Sequence, residues 1–516
     1  MTTRQLVAPR WARTWIRGGE RALSLSTLLV TLAAPAPAQR ITIKTVPIAQ
    51  GDQFEIFPSQ NRGMGGVSIA RADTLLDPFL NPATGARLRG ARFFGSPTFY
   101  SVSNEAGGGR TLPIGAFLGF GDWYAGLSVA LQEVAASRPN APGPIVTFDA
   151  GRAAVDSLPA PGSDERSHAN AFAFALLGRV FPAARLSLAG SVLWTGLNAV
   201  DGVDQVYAGS ESIRQSGHAV DVRLGMLKEW AGDRSLEAIV LHHRLEMTHD
   251  VTYLEWFWDP GTQQSAQRAW SDHNLEGTST WGLHVEYQRP LAASGWRIGW
   301  VATGNRMSHP TIANYEIMNI PRDPGHSYAY NLGIGISRTV GAATFGLDAI
   351  YEPIWSNTWA EAAAPVETLR GDTIPAGGKT VENHFRFSNA LFRMGVSRGL
   401  ELRGLGKAAG LQLGLELRSI HYWLGQDDNV QVARRNHEEW WLEWTPTWGL
   451  SLHFPEFAVR YVGRVTLGTG RPETQNLVVP RGPLEDRGRL ATPSGPLTLD
   501  EVSVVMHQVS LSLPLR

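Results

Sequence analysis

The run Leu241-His242-His243-Arg244-Leu245-Glu246-Met247-Thr248-His249-Asp250 packs imidazoles and carboxylates, the groups that hold metal ions or move protons, more densely than any other stretch of the chain. Spacing decides what they can do. A zinc-type His/Glu motif needs its ligands three or four apart on one helical face. On a strand, His242, Arg244, Glu246, Thr248 and Asp250 fall on one face and His243 and His249 on the other. The run therefore reads as a polar ladder facing the interior of a β structure rather than as a metal centre. With 0 Cys, thiolate metal sites, disulfides and Cys nucleophiles are excluded. No Gly-x-Ser-x-Gly, phosphate-binding loop or dinucleotide fingerprint occurs in a strand-to-helix setting. A hydrolase assembled from distant His, Ser or Asp side chains is the one catalytic alternative left open. The expectation is a protein that is not an enzyme and uses no metal and no cofactor.

Charges of interior parity recur along the chain: Arg223, Arg297, Arg393, Arg418, Arg460 and Arg464, with Glu286, Asp348, Glu352 and Glu416. Lining an enclosed interior, opposite charges neutralise one another and can steer an anionic group such as a carboxylate. Arg393 and Arg418 are accordingly candidate substrate-binding residues. The apolar cluster Trp256-Phe257-Trp258 falls at the start of a long loop.

The elements that must position these groups are strands. From about residue 91 onward apolar residues alternate with polar residues or Gly, as in Leu411, Leu413, Leu415 and Leu417 against Gln412, Gly414, Glu416 and Arg418. Tyr328, Tyr330, Leu332, Ile334 and Ile336 alternate with Ala329, Asn331, Gly333, Gly335 and Ser337; Phe345, Leu347 and Ala349 alternate with Thr344, Gly346 and Asp348. Short turns, such as Gly121-Asp122, 231–234, 340–342 and Pro455-Glu456, take turns with long segments at 135–167, 199–216, 257–277, 307–325, 358–382, 425–436 and 468–499. Sorting by parity is what an outer-membrane barrel requires, with tight turns on one rim and long loops on the other. A soluble sandwich or propeller has no reason for it. The fold class is all-β: a transmembrane antiparallel β-barrel of about 14–16 strands, sixteen by count, the first two irregular because Gly95 to Pro97 interrupts one.

Composition agrees. Only 18% of the 516 residues are charged, and 55 Gly and 18 Trp accompany a net charge of −1. Four Lys (Lys44, Lys228, Lys379, Lys407) and a neutral balance exclude nucleic acid as a partner. Trp belongs at the two interfaces of a bilayer; Trp440, Leu442, Trp444 and Trp448 share one parity, with Glu439, Trp441 and Glu443 on the other. No later run is long and apolar enough for a membrane helix.

Residues 1–38 read as a secretory signal peptide, with five Arg, the apolar run Ala22 to Ala34 and the small-residue stretch Ala36-Pro37-Ala38. That run of thirteen spans only about 20 Å as a helix, short of a bilayer. Residues 39–90 read as an N-terminal plug segment and 91–516 as the barrel.

Between them lies NRGMGGVSIARADTLLDPFLNPATGARLRG (61–90). Gly63, Gly65 and Gly66 permit close backbone packing and positive φ, and Pro82 holds Asn81 extended. A bare linker would not need Ile69, Leu75, Leu76, Phe79 and Leu80. The Gly-rich Gly63-Met64-Gly65-Gly66, the small-residue stretch through Ala70 and Ala72 with Asp73, and the turn Asn81-Pro82-Ala83 just before the first strand resemble the FadL-like superfamily of outer-membrane barrels. That superfamily includes long-chain fatty-acid transporters and PorV-type proteins of a secretion system. The likeness covers about thirty residues closely and the rest in architecture. It implies a small hatch in the barrel lumen, formed by Gly63, Met64, Gly65, Gly66, Asn81, Pro82 and Ala83. It also implies outer-membrane location, insertion by the barrel-assembly machinery, contact with outer-membrane lipid, and a hydrophobic or amphipathic small molecule as ligand, first caught by apolar residues of the extracellular rim such as Trp256, Phe257 and Trp258. The other role it implies is a scaffold that holds or hands over exported proteins. One departure stands out: such barrels end in an aromatic residue, whereas this sequence ends Leu513-Pro514-Leu515-Arg516.

Overall fold

The computed structural model describes residues 44, 53–88, 90–104, 106–135, 167–201, 212–259, 261–262, 264–291, 294–308, 325–362, 364–402, 407–472 and 499–515. One antiparallel sheet contains seventeen strands, two of which are pieces of a single stave, so the sheet has sixteen staves. These are β1 (Ala91–Gly95 and Thr98–Val102), β2 (Gly108–Phe120), β3 (Trp123–Ala135), β4 (Ser167–Phe181), β5 (Leu186–Leu197) and β6 (Ser212–Trp230). Then follow β7 (Arg234–Asp259), β8 (Gln264–Leu291), β9 (Trp296–Ser308), β10 (Gly325–Val340) and β11 (Ala343–Glu361). The last are β12 (Lys379–Leu402), β13 (Lys407–Asp428), β14 (Ala433–His453), β15 (Ala458–Pro472) and β16 (Leu499–Leu515). Each stave pairs with its neighbours in sequence, and both pieces of β1 pair with β16 and with β2. The sheet is thereby closed into a barrel and has no free edge along its wall. The break in β1 at Ser96-Pro97 keeps register on both sides, because Gly95 faces Leu511 and Ile114 while Thr98 faces Gln508 and Thr111.

Two-residue periodicity gives the wall an inside and an outside. Outward Leu112, Leu127, Leu131, Leu224 and Leu413 are 55–71% exposed, whereas inward Asp348, Glu352 and Glu286 are 0–1% exposed. Such an arrangement is unfavourable in water and natural in hydrocarbon. Among the described residues no helix is long and apolar enough to cross a membrane; the strands do so instead. On β11 the outward face runs from Phe345 near the short turn to Trp355. Ten residues at about 3.3 Å each, tilted about 45°, cover roughly 23 Å, close to the apolar band of about 25 Å expected of a barrel. Trp123, Trp230 and Trp296 mark the short-turn border; Trp194, Trp281, Trp355, Trp423 and Trp440 lie toward the other. Outward Trp440 and Trp444 are each 46% exposed.

Three expectations are corrected. The supposed loop 257–277 is mostly strand, because β7 and β8 run 26 and 28 residues, far beyond the roughly 9–11 a membrane needs. The alternation that marks a strand simply continues past the bilayer. Second, the ladder His242, Arg244, Glu246 faces outward, while His243 and His249 face the lumen and are buried. Val240 still lies in the apolar belt, so the change to polar outward residues at His242 marks where the strand leaves the membrane. Third, the segments 358–382 and 425–436 are shorter excursions than expected, since β11 to β14 extend into them and leave a two-residue pairing, Val366–Glu367 with Thr373–Ile374. The expected loops at 135–167, 199–216, 307–325 and 468–499, and the signal peptide, lie for the most part outside the described residues.

The belt makes a depth-dependent prediction. Leu413→Arg, within the band, is expected to cost about 2–4 kcal/mol, whereas Arg244→Leu, beyond it, should cost less than about 0.5 kcal/mol. Urea unfolding of the barrel in liposomes measures both.

Candidate functional site

Residues 53–88 lie in the lumen near the short-turn rim. The segment forms a short 3₁₀ turn (Arg62–Met64), one helical turn α1 (Asp77–Leu80) and a second 3₁₀ turn (Pro82–Arg87). Its internal organiser is Asp73, whose buried carboxylate accepts from Ser59 Oγ at 2.5 Å and from the backbone N–H groups of Gln60, Asn61, Leu75 and Leu76 at 2.9–3.1 Å. One carboxylate thus ties the start of the segment to its middle through charge-assisted hydrogen bonds.

On the side of β9 to β14 the segment rests directly on the wall. Gly65 and Gly66 have φ of 70° and 71°, which L side chains rarely adopt. A Cβ on wall residue Gly414 would sit 2.1 Å from Gly65 N, one on Gly395 2.3 Å from Met64 O, and one on Gly299 2.2 Å from Ile69 O. Gly335 and Gly346 make the same allowance for Ile69 and Val67. The glycines noted on interior faces are therefore a seat shaped to a second backbone. Polar contacts fix the register: Gly65 N–H donates to Thr447 Oγ1 at 2.9 Å, Gln412 Nε2 to Gln60 O at 2.8 Å, Ser337 Oγ to Ala70 O at 2.7 Å, and Ser68 N–H to Asp348 at 2.8 Å.

On the side of β1 to β6 the contact is of another kind. Phe57 and Phe79 stack at 3.9 Å and 13°, and Phe79 packs on Phe94, Phe117 and Phe174 at 4.9–5.5 Å. Here the lumen wall is apolar, a correction to the alternation read from the sequence, in which the face opposite the apolar one is polar or Gly. Asn81 stays extended (φ −119°), caps the second 3₁₀ turn through Ala83 N–H, and donates to Glu237 at 3.0 Å. The wall yields to it at Gly225, where a Cβ would lie 2.2 Å from Asn81 Oδ1. Arg87 reaches the same Glu237 and also Glu229, both at 3.0 Å. Burial works against the Arg87 charge, but the two carboxylates more than offset it and raise its pKa.

Arg393 and Arg418 face the lumen but are engaged. Arg393 Nε donates to Glu416 at 2.7 Å and its Nη1 lies 3.5 Å from Gly66 O, so it joins the wall to the plug. Arg418 pairs with Glu352 at 2.8 Å. Lys44 comes next to this network: its Nζ pairs with Glu443, and its carbonyl accepts from Asn389 Nδ2 at 2.7 Å. Burial lowers the Lys44 pKa, against the pull of Glu443. Trp256, Phe257 and Trp258 stand apart on the far end of β7; their side chains lie outside the described residues.

Sequence reasoning missed a lumen patch on the long-loop side of this network. Met307, Ile354, Phe385, Phe387, Tyr422 and Leu424, contributed by β9, β11, β12 and β13, are 0–3% exposed and pack together, with Trp441 against them. Phe385 and Phe387 stack at 5.8 Å and 10°. The signal was present as large apolar residues at alternate positions, Phe385 and Phe387 on one strand and Ile420, Tyr422 and Leu424 on the next, on the parity that carries Arg393 and Arg418 further along. On the other side of the plug a polar cavity of about 470 Å³ opens at the short-turn mouth, bordered by Arg71, Arg87, Glu229, Arg297 and Ser337. Apolar patch, charged network, plug and polar mouth succeed one another along the lumen.

No family model and no curated protein matches the chain. Solved structures similar to it include CdiB from Acinetobacter baumannii, at 9% identity over 82% of this chain and 60% of that one, TM-score 0.38. They also include a FadL homologue of Pseudomonas aeruginosa, at 11% identity over 89% of this chain and 99% of that one, TM-score 0.40. The Pseudomonas putida toluene transporter TodX is similar at 11% identity over 92% of this chain and 100% of that one, TM-score 0.38. The chain thus spans about three-fifths of the length of CdiB and nearly all of the FadL homologue and of TodX. These identities and scores say nothing of what the chain carries.

Proposed function

We propose that this protein is an outer-membrane barrel that admits small hydrophobic or amphipathic molecules past an N-terminal hatch, and that it performs no catalytic step. The observation that carries the reading is the apolar patch around Phe385, Phe387 and Tyr422, set in a lumen whose neighbouring layer is ionic. An interior built only to pass ions or sugars gains nothing from stacked phenylalanines; the patch is closed on itself here, so an apolar solute enters by parting these side chains and gains about 25 cal/mol for each Å² of its own surface taken out of water. Below the patch, Arg418, Glu352, Arg393 and Glu416 offer both signs of charge to a polar head. Since Arg393 also borders Gly66, a ligand that competed for it would loosen one hatch contact.

The test is uptake by cells of a panel of aromatic hydrocarbons, alkanes and fatty acids. Deleting the gene is expected to lower accumulation of at least one class, and Phe387→Asp to lower it about fivefold or more while the barrel still folds. Unchanged uptake across the panel on deletion would refute the reading. Exported proteins that co-purify with the barrel, together with unchanged uptake, would favour the scaffold role.

A further inference from the structure

The outer wall carries a groove of about 490 Å³ near the short-turn rim of β9 to β13. Its floor is Ala343 and Val396; Trp296 and Phe345, edge-to-face at 6.4 Å and 81°, flank one side and Leu411 and Leu413 the other. These residues have outward parity, so the groove opens toward the bilayer and not into the lumen.

Two cations stand at its short-turn end. The Arg338 guanidinium lies 5.3 Å from the Trp296 ring centroid, and Arg398 pairs in register with Ala343. Arg338 and Arg398 are on strands two apart, about 10 Å across the sheet, and are offset by one pleat, because Arg338 faces Phe345 and Arg398 faces Ala343 on the strand between; both side chains line the groove and are long enough to reach one small anion. Among the described residues neither has a carboxylate partner. The wider rim has the same character: Arg179 lies 5.4 Å from the Trp123 ring, Lys228 5.7 Å from Trp230 and Arg289 5.8 Å from Trp300. Each cation is held at the depth where an apolar belt meets headgroups.

An apolar trough in hydrocarbon, ending at paired guanidiniums at headgroup depth, is complementary to one kind of molecule: an acyl chain joined to a phosphate. Hydrophilic partners do not reach a surface that faces the bilayer, and a free anion has no use for the trough. We infer that the groove is a phospholipid site, with one acyl chain along Val396 and Leu413 and the phosphodiester between Arg338 and Arg398. The occupant comes from the leaflet on the short-turn side. The inference rests on the bilayer-facing belt and not on what the lumen transports.

The experiment uses the full chain, purified in mild detergent and examined by native mass spectrometry after addition of phosphatidylglycerol, diacylglycerol or inorganic phosphate. The wild type is expected to keep one phosphatidylglycerol through washing and to keep neither other probe. Occupancy should fall at least tenfold both in the double variant Arg338→Ala/Arg398→Ala and in Val396→Trp, which fills the trough. Arg179→Ala, on the rim outside the groove, should match the wild type. Heat-modifiable migration on gels shows that each barrel is folded. Equal retention by the double variant, retention of diacylglycerol as strong as that of phosphatidylglycerol, or binding of phosphate alone would each overturn the assignment.

Discussion

Gly414→Val is expected to unseat the hatch and turn a closed barrel into a leaking one. The position tolerates no side chain, since even a Cβ would lie 2.1 Å from Gly65 N and 2.2 Å from Met64 C. These are backbone atoms of a segment whose own φ values leave it little room to give. Overpacking in a well-filled interior costs about 1–3 kcal/mol when side chains can shift, and more when they cannot. The sixteen-stave wall is held by continuous strand pairing and the hatch by scattered contacts, so the hatch yields first. Conductance of single barrels in planar bilayers should rise at least tenfold over wild type, and cells should become sensitive to large antibiotics. A closed, wild-type conductance in a folded Gly414→Val barrel would show that the lumen is sealed by something other than this segment.

Asp73→Ala is expected to have the next largest effect, from inside the hatch. It removes the acceptor shared by Ser59 Oγ and the N–H groups of Gln60, Asn61, Leu75 and Leu76. Asn61 N–H keeps Ser59 Oγ and Leu76 N–H keeps the Asp73 carbonyl, so Ser59 Oγ and the N–H groups of Gln60 and Leu75 are the donors left without this partner; at about 1–3 kcal/mol each, a loss of about 3–5 kcal/mol in hatch order is expected. The barrel contributes no strand hydrogen bond through Asp73 and should keep its heat-modifiable migration. Limited proteolysis of the purified protein checks this: cleavage within 53–88 should accelerate at least tenfold while fragments of the barrel stay resistant. Asp73→Asn, which keeps an acceptor oxygen, should fall between the two. Equal protease resistance of wild type and Asp73→Ala would mean that the wall contacts alone hold the segment.

Much of the wall was legible in the sequence because a strand reports its two faces in one dimension. Parity alone sorts Asp348, Glu352, Glu416 and Arg418 onto one face and Leu411, Leu413 and Leu415 onto the other, and the turn lengths give the barrel its two rims. What parity does not state is which face is which once a strand leaves the bilayer. His242 and Arg244 follow Val240 on the outward side, yet in sequence they look the same as a lumen ladder. Nor does it state why a face carries glycine: Gly299, Gly335, Gly395 and Gly414 read as unremarkable polar-face positions until the backbone of 63–70 is laid on them. Partners hundreds of residues apart, such as Arg393 with Gly66 or Phe79 with Phe174, are set by closure of the barrel, which no local pattern encodes. The lumen patch at Phe385, Phe387 and Tyr422 was masked for a related reason. On those strands the apolar parity changes sides: within the bilayer the outward residues are apolar, whereas here Phe385, Phe387, Tyr422 and Leu424 point inward and His384, Arg386 and His421 point out, so the same alternation reads as more of the lipid-facing wall.

The unusual length of β7 and β8 sets how far the molecule reaches. Beyond His242, where the outward face turns polar, β7 continues to Asp259. Seventeen residues at about 3.3 Å each, tilted about 45°, rise roughly 40 Å, more than the thickness of the hydrocarbon layer itself. The hairpin is therefore a mast rather than a rim, and a solute or a large particle arriving on that side of the membrane meets its tip well before it meets the mouth of the lumen.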